Sequence, residues 1–268
     1  MPKGFVSFLR KCPVKLATFV PDVIHDFYEK TYPQHFNRIE CKYLKLMLRA
    51  TLSQSKVIFT NSKFISGELT ALSRRWGIEP PPLVEIGAGY EPRQKYQGEK
   101  QNRVMMLVST WKHKRTDLAM EYLKRWAQGK DYEIAIFGSL PKGISLPSGK
   151  WHLYNRIPED EYRKMMERSR ALIYFSEYEG FGAPPVEAIL GGVCPVYSDI
   201  PASREVVMGF GAPFDNNSYE SFAKALDYAL TVSAEQIDNW GKILFEKYNF
   251  KKEAETIANA MIKAQQSG

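Results

Sequence analysis

Cysteine is scarce in this sequence of 268 residues, where it occurs only as Cys12, Cys41 and Cys194. Three scattered cysteines exclude a disulfide framework and a cysteine-based zinc site. We therefore expect reduced thiols and a cytoplasmic protein. No apolar run approaches the roughly 18 residues that a membrane-spanning helix requires. Basic residues interrupt the apolar start of the chain, which makes it a poor signal peptide.

Acidic residues are fewer than basic ones, 30 against 37, and the net charge is +7. This excess favours an anionic partner, such as a nucleoside diphosphate, an acidic membrane surface or nucleic acid. An equally open interpretation is that the lysines only solvate helix faces. No zinc-finger or RNA-binding signature accompanies the charge.

A polar stretch at residues 91–101 separates two parts of the chain and contains almost nothing to bury, as is typical of an interdomain linker. After it, strand-like and helix-like segments alternate, at residues 103–109, 117–126, 132–137, 159–168, 171–175, 185–190 and 193–197. This alternation predicts parallel βαβ units and an α/β fold. We expect a first lobe at residues 1–92, a parallel-sheet domain at 93–247 and a closing helix at 248–268.

The first lobe shows a less regular pattern. A helix is predicted near residues 37–51, and a buried strand at 57–60. Asn61 and Ser62 are cap candidates for a helix that should end at Gly77, and a short strand should follow at 83–86.

The segment with the most candidate ligand-binding residues lies where the strand at 171–175 ends and the next helix begins. Gly180 and Gly182 allow a ligand to approach the backbone closely. Prolines suit the first positions of the helix, whose amides and positive dipole end favour a diphosphate. Glu187 is expected in the first helical turn, where its carboxylate can accept hydrogen bonds from a ribose. Glu179 precedes the glycines, at the edge where α/β sheets bind ligands.

The run Glu179-Gly180-Phe181-Gly182-x-Pro-x-x-Glu187-Ala188 resembles the two-glutamate signature of family 4 retaining glycosyltransferases. The resemblance implies the GT-B fold, with a Rossmann-like C-terminal donor domain. It also implies that Glu179 acts on the donor sugar, that Glu187 holds the ribose, and that the amides of Phe181 and Gly182 bind sugar or phosphate.

The segment after the first strand of the second part is similar to a basic element of the same family. Lys114 matches the lysine that neutralises the donor diphosphate, although a solvated surface lysine is the alternative. Ser109 falls near the place of the family's arginine, and Lys112 is expected to compensate for that absence. Arg115 completes the basic donor-binding set.

Two weaker matches complete the predicted site. Arg156 and Ile157 stand where the family places backbone contacts to the nucleobase. His25 matches an active-site histidine, and the alternative is a histidine satisfied by local hydrogen bonds. A full family member has a longer first domain, so the resemblance predicts an incomplete or minimal N-terminal α/β lobe, either native or completed by another subunit.

The function implied by the resemblance is retaining transfer of a hexose from a UDP- or GDP-sugar. We expect no metal and no further cofactor, since lysines supply the positive charge that a metal would. Two alternatives stay open: a nucleotide-sugar-binding module without full activity, and an enzyme that glycosylates nucleic acid. The acceptor is equally open between a lipid-linked sugar, a polysaccharide, a protein and a small molecule, and so is homo-oligomerisation.

Basic residues recur in the helix predicted near residues 37–51. Lys42, Lys45 and Arg49 have tyrosine and leucine neighbours, a pattern that also suits peripheral contact with an anionic membrane. An ordinary amphipathic core helix is the preferred interpretation.

Overall fold

A computed structural model describes residues 16–35, 37–92 and 96–266 of the chain. These residues form two compact units. The first contains the residues up to Tyr90, the short segment Glu179–Phe181 and the residues from Tyr248 onward. The second contains Glu91–Tyr178 and Gly182–Lys247.

The first unit is built on a small parallel sheet in the order β1-β2-β3. Its strands and first helices are β1 (Leu16–Phe19), α1 (Ile24–Thr31), α2 (Arg38–Gln54), β2 (Ser55–Thr60), α3 (Lys63–Trp76) and β3 (Leu83–Glu85). Ser62 caps α3 by accepting a hydrogen bond from the Ile65 amide at 3.3 Å, and Gly77 ends it in the left-handed conformation. Both ends of this helix were predicted correctly, whereas β1 was not predicted from the sequence.

The second unit has a larger sheet with six strands, all parallel. Its elements are β4 (Arg103–Val108), α4 (Thr116–Ala127), β5 (Glu133–Gly138), β6 (Trp151–Tyr154), α5 (Glu159–Glu167), β7 (Ala171–Tyr174), α6 (Ala183–Leu190), β8 (Cys194–Ser198), α7 (Pro201–Val206), β9 (Ala212–Phe214), α8 (Tyr219–Ala229) and α9 (Ala234–Lys247). The predicted parallel α/β architecture is confirmed, although β6 and β9 were not predicted.

The core of the second unit explains why its central strands are uninterrupted apolar runs. Met105 and Met106 are adjacent in β4 and point to opposite faces of the sheet, yet both are fully buried. Met105 packs with Leu172 of β7 and Ala188 of α6. Helices on both faces therefore replace the apolar–polar alternation of a one-sided sheet.

The strand order of this sheet is β6-β5-β4-β7-β8-β9. The chain builds outward from β4 in one direction through β5 and β6, and then returns to continue from β7 in the other. The carboxyl ends of β4 and β7 are therefore neighbours whose following segments leave toward opposite faces. Such a switch point opens a crevice where α/β sheets bind ligands.

The last helix, α10 (Phe250–Gln266), joins the first unit. The Tyr90 amide donates to the Tyr248 carbonyl at 2.9 Å, just before the helix begins. Gly89 lies so close to Phe250 that an added Cβ would stand 2.3 Å from its ring, so the approach requires a residue without a side chain. None of the helices in the described parts of the chain is long and apolar enough to cross a membrane.

Ionisation of Glu253, near the start of α10, makes the stability of the protein depend on pH. Burial raises the pKa of its carboxyl to about 7, and the hydrogen bond from the Gly89 backbone amide only partly opposes that rise. Its Oε1 is buried and has no hydrogen-bond partner in the part of the chain that the structure describes. The native state therefore holds this proton more tightly than the unfolded chain does, and ionisation costs stability as the pH rises from about 4.5 to about 7.

Replacing Glu253 with Gln should remove this cost. We expect the melting temperature to rise by a few degrees at about pH 8, where the native carboxyl is charged, and to stay unchanged near pH 4.5. Glu255→Gln, an exposed change on the same helix, is the control. A gain for Glu253→Gln that is the same at both pH values would contradict the assignment.

Candidate functional site

The site of the second unit begins with the loop that follows β4. Thr116, the first residue of α4, closes this loop because its hydroxyl donates to the Ser109 carbonyl at 2.7 Å and accepts from the Ser109 amide at 3.1 Å. Residues Lys112–Lys114 form one turn of 3₁₀ helix, and Arg115 follows in the left-handed conformation with φ 42°. The predicted basic residues are thus displayed on a short, closed loop.

This loop is joined to the loop that follows β7. The Lys114 Nζ donates to the Tyr174 hydroxyl at 2.7 Å and lies 4.5 Å from the centre of its ring. Arg115 pairs with Glu177 at 2.6 Å. The Glu177 amide also donates to the His113 carbonyl at 2.7 Å. The two loops at the switch point therefore hold each other in place.

Ser176 anchors the β7 loop to the rest of the sheet. Its amide donates to the Ser198 hydroxyl at 2.8 Å, and its own hydroxyl donates to the Tyr178 carbonyl at 2.9 Å. The Asn216 side chain donates to the Ser176 carbonyl at 2.9 Å. The last residue of β8 and a residue beyond the end of β9 thus fix the loop between β7 and α6.

The start of α6 differs in two ways from the sequence prediction. Gly182 is its N-cap, with φ 79°. Four backbone amides at the start of a helix normally lack an intrahelical partner, but Pro184 and Pro185 have no amide hydrogen. Only the amides of Gly182 and Ala183 can therefore donate to a ligand at this end of the helix. Glu187 was expected in the first helical turn. It is instead the fifth helical residue and lies outside that turn. The prediction took the helix to begin at Pro185, two residues late.

Glu187 acts electrostatically on a partly buried aromatic residue of this unit, Tyr162. Burial raises the pKa of the Tyr162 hydroxyl, and the negative charge of Glu187 adds to that rise. The carboxylate is half-buried, and its backbone carbonyl accepts from the Gly191 amide at the end of the helix. A rigid helix therefore presents this side chain.

The remaining donor-binding candidates of the second unit follow β4 and β6. Lys112 is exposed. Arg156 is exposed and left-handed, with φ 58°, while the side chain of Ile157 packs against the core. The Ile157 side chain is therefore taken up by the core, and backbone contact with a nucleobase stays a prediction.

The segment Glu179–Phe181 belongs with the first unit, so the two signature glutamates fall in different units. The Ser62 hydroxyl donates to the Gly180 carbonyl at 2.6 Å. An added Cβ on Gly180 would lie 2.1 Å from the Pro21 carbonyl oxygen. Phe181 is buried and meets Tyr248 edge to face, with ring centroids 5.3 Å apart.

His25 occupies the first turn of α1 and is buried. Its Nε2 has no hydrogen-bond partner within the described structure, so the alternative of a locally satisfied histidine is not supported at that nitrogen. Burial lowers the pKa of the imidazole, although the charges of Asp26 and Asp22 oppose the shift. The neutral form is therefore favoured.

Functional residues that the sequence analysis missed are Tyr174 and Glu177. Both lie in or directly after β7 and hold the basic residues of the neighbouring loop. In the part of the chain that the structure describes, no group of three or more His, Cys, Asp and Glu residues is arranged to hold a metal ion.

Two parallel α/β units, together with solved structures that share this architecture, define a protein of the GT-B class. Residues 91–246 match the family model described as glycosyl transferases group 1. This match covers more than half of the chain, and the chain belongs to that family.

Similar proteins agree with this assignment. The O-antigen chain mannosyltransferase RfbU of Salmonella typhimurium is 23% identical over 216 residues, which are 76% of this chain and 60% of that protein. The chain thus spans about 60% of the length of this relative.

Two solved structures share the fold. Sucrose-phosphate synthase from Thermosynechococcus elongatus has a TM-score of 0.75 at 12% identity, covering 98% of this chain and 71% of that one. HepE from Anabaena, solved in complex with UDP and glucose, has a TM-score of 0.70 at 14% identity, covering 93% and 72%.

The tight packing of Gly180 gives a direct test of the loop that carries Glu179. Gly180→Ala should lower the free energy of unfolding by about 1–3 kcal/mol, because the new methyl group would collide with backbone. Gly67→Ala, in the exposed middle of α3 with open space around it, should raise stability by up to about 1 kcal/mol. Denaturant unfolding measures both, and equal midpoints for Gly180→Ala and wild type would refute the close approach.

Proposed function

We propose that this protein is a retaining glycosyltransferase that moves a hexose from a nucleoside diphosphate sugar to a saccharide acceptor. The observation that carries the proposal is the basic loop after β4, locked to the β7 loop at the switch point. An anionic ligand is the natural occupant of such a place, and family membership makes a nucleotide sugar the expected one.

The donor diphosphate would be bound by Lys114 together with the start of α6. Prolines remove two of the amide donors there, so side-chain cations must supply more of the positive charge. Lys114 is well suited because its stem is already oriented by Tyr174. Arg115 is neutralised by Glu177, so its expected role is to fix the loop while Lys112 adds charge at the rim.

The two signature glutamates would bind the two sugars of the donor, the ribose and the transferred hexose. Glu187, fixed on α6, accepts hydrogen bonds from the ribose hydroxyls. Glu179 positions the transferred hexose, and neutral His25, whose Nε2 has no partner among the described residues, contacts the outer hydroxyls of that sugar. Ile157 and Arg156 offer backbone groups to the nucleobase.

Transfer would occur on one face of the donor sugar. The bond from the anomeric carbon to the diphosphate oxygen breaks, and the acceptor oxygen bonds to that carbon on the same face. The departing diphosphate takes the acceptor's proton, and Lys114 stabilises the negative charge that develops on it. No metal is needed in this scheme, because the lysines supply that stabilisation.

GDP-mannose is the first donor to test, since the similar Salmonella protein is described as an O-antigen chain mannosyltransferase. On this proposal the acceptor is a growing polysaccharide chain. UDP-glucose is the second donor, because HepE was solved with UDP and glucose.

Lys114→Met tests the diphosphate site. Loss of a charge-assisted hydrogen bond should weaken GDP or UDP binding, measured by calorimetry, about tenfold or more. Lys150→Met is the matched control, because Lys150 precedes β6 at the opposite edge of the sheet. Equal affinities for the two variants would exclude Lys114 from the site.

Glu179→Ala tests the role in transfer. We expect release of nucleoside diphosphate in the presence of saccharide acceptors to fall at least a hundredfold, while affinity for the free diphosphate is kept. Wild-type turnover by this variant would remove the role given to Glu179. Donor binding by the wild type without any turnover would instead favour a binding module.

A further inference from the structure

Trp111 lies on the basic loop after β4, and its side chain is exposed to solvent. It is 60% exposed, the highest value among the five tryptophans of the chain, because the others are buried or half-buried. Burying an indole ring stabilises a fold, and Trp111 forgoes most of that gain. A single exposed apolar side chain is normal on an ordinary surface. Trp111, however, belongs to a loop at the crevice where α/β sheets bind ligands.

Backbone contacts fix Trp111 on the outer side of this loop. Its amide donates to the Ser109 hydroxyl at 3.3 Å, and its carbonyl accepts from the Lys114 amide at 3.1 Å. His113 is buried, and its carbonyl accepts from the Glu177 amide at 2.7 Å. The centroids of the Trp111 and His113 rings are 6.4 Å apart. The turn is therefore held with His113 on its inner side and Trp111 on its outer side.

A fixed, exposed indole has the properties of a binding surface. Tryptophan offers a large flat area and has few rotatable bonds, so little conformational entropy is lost when a ligand covers it. The complementary ligand is a ring with an apolar face. A reaction that uses a nucleotide sugar contains two kinds of such rings, since a nucleobase has a π-face and a pyranose has a face made of C–H groups.

The two faces of the larger sheet separate Trp111 from the proposed nucleoside site. Leu172 of β7 packs with Ala188 of α6 on one face. Phe175, three residues after Leu172, points to the other face, where its ring lies 6.0 Å from that of Tyr122 in α4. The ribose site proposed on α6 belongs to the first face, whereas the loop of Trp111 leads into α4 on the second. A nucleobase bound beyond that ribose therefore extends away from Trp111, which leaves a pyranose as its ligand.

Exposure assigns this pyranose to the acceptor. The donor hexose is attached to the diphosphate, and the proposed diphosphate ligand Lys114 turns its ammonium inward to the Tyr174 hydroxyl at 2.7 Å. Trp111 and its neighbour Lys112 are exposed on the outer side of the same loop. A saccharide chain that arrives from solvent meets this outer side first.

We propose that Trp111 binds the saccharide acceptor by stacking on the apolar face of one of its pyranose rings. The inference rests on the proposed function and names a residue that selects the acceptor for that reaction. Stacking removes both the indole and the C–H groups of the sugar from water. It leaves the hydroxyl groups at the edge of the sugar ring available for hydrogen bonds and for transfer.

The test measures acceptor binding without turnover. The full chain is saturated with GDP, or with UDP if that binds more tightly, and α-linked mannotriose, maltotriose and chitotriose are titrated in separate calorimetry experiments. The wild type should bind at least one trisaccharide, and Trp111→Ala should weaken that affinity about tenfold or more. Trp111→Phe should stay within about threefold of the wild type, because a phenyl ring still stacks. Affinity for the nucleotide should be the same in all three proteins.

Tyr228→Ala is the matched control. Tyr228 is 46% exposed near the end of α8, which starts beyond β9 and runs back toward the opposite edge of the sheet. This variant should keep wild-type affinity for the trisaccharide. Because both aromatic side chains are exposed, neither Trp111→Ala nor Tyr228→Ala should lower the melting temperature appreciably. The bound trisaccharide should also protect an indole from quenching by acrylamide, and Trp111→Phe should lack this protection.

Four results would overturn the proposal. The first is wild-type trisaccharide affinity in Trp111→Ala, and the second is a wild type that binds none of the three trisaccharides. The third is weaker nucleotide binding by Trp111→Ala, which would place a nucleobase on the ring. The fourth is weaker binding of GDP-mannose with GDP and trisaccharide affinities kept, which would place the donor hexose there. Failure of the proposed function is distinguishable, since the wild type would then bind the trisaccharide through Trp111 and transfer no hexose.

Discussion

The contact between Lys114 and Tyr174 is the interaction on which the candidate site depends. It ties the end of β7 to a loop that carries like charges on the adjacent residues Lys114 and Arg115. The neighbouring pair of Arg115 and Glu177 neutralises one of those charges. Together they leave an oriented lysine at a crevice that the strand order creates, and an oriented cation gains more from an anion than a mobile one does.

This arrangement gives the β7 loop two separate attachments within the second unit. Glu177 holds it to the basic loop, and Ser176 holds it to the ends of β8 and β9. A ligand bound at the start of α6 therefore meets a loop whose conformational entropy has already been lost in folding.

Much of the second unit was predictable, because a two-sided parallel sheet produces apolar runs that alternate with helical segments. The short strands β6 and β9 were missed, since Trp151–Tyr154 alternates little and Ala212–Phe214 has only three residues. Glu187 was placed in the first helical turn because Pro185 suggested the helix start. The contacts of Tyr174 and Glu177 could not be predicted from the sequence, because their partners are 60 and 62 residues away along the chain.

The return of the chain to the first unit at Tyr248 has a consequence for the order of synthesis. The sheet of that unit is made early on the ribosome, but α10 and the Tyr90–Tyr248 contact arrive only after the whole second unit has been translated. The nearly continuous second unit can fold while the first still awaits its last helix. The first unit thus becomes complete only after the second has been translated, and a chain arrested before Tyr248 would contain both sheets but would lack α10 of the first unit.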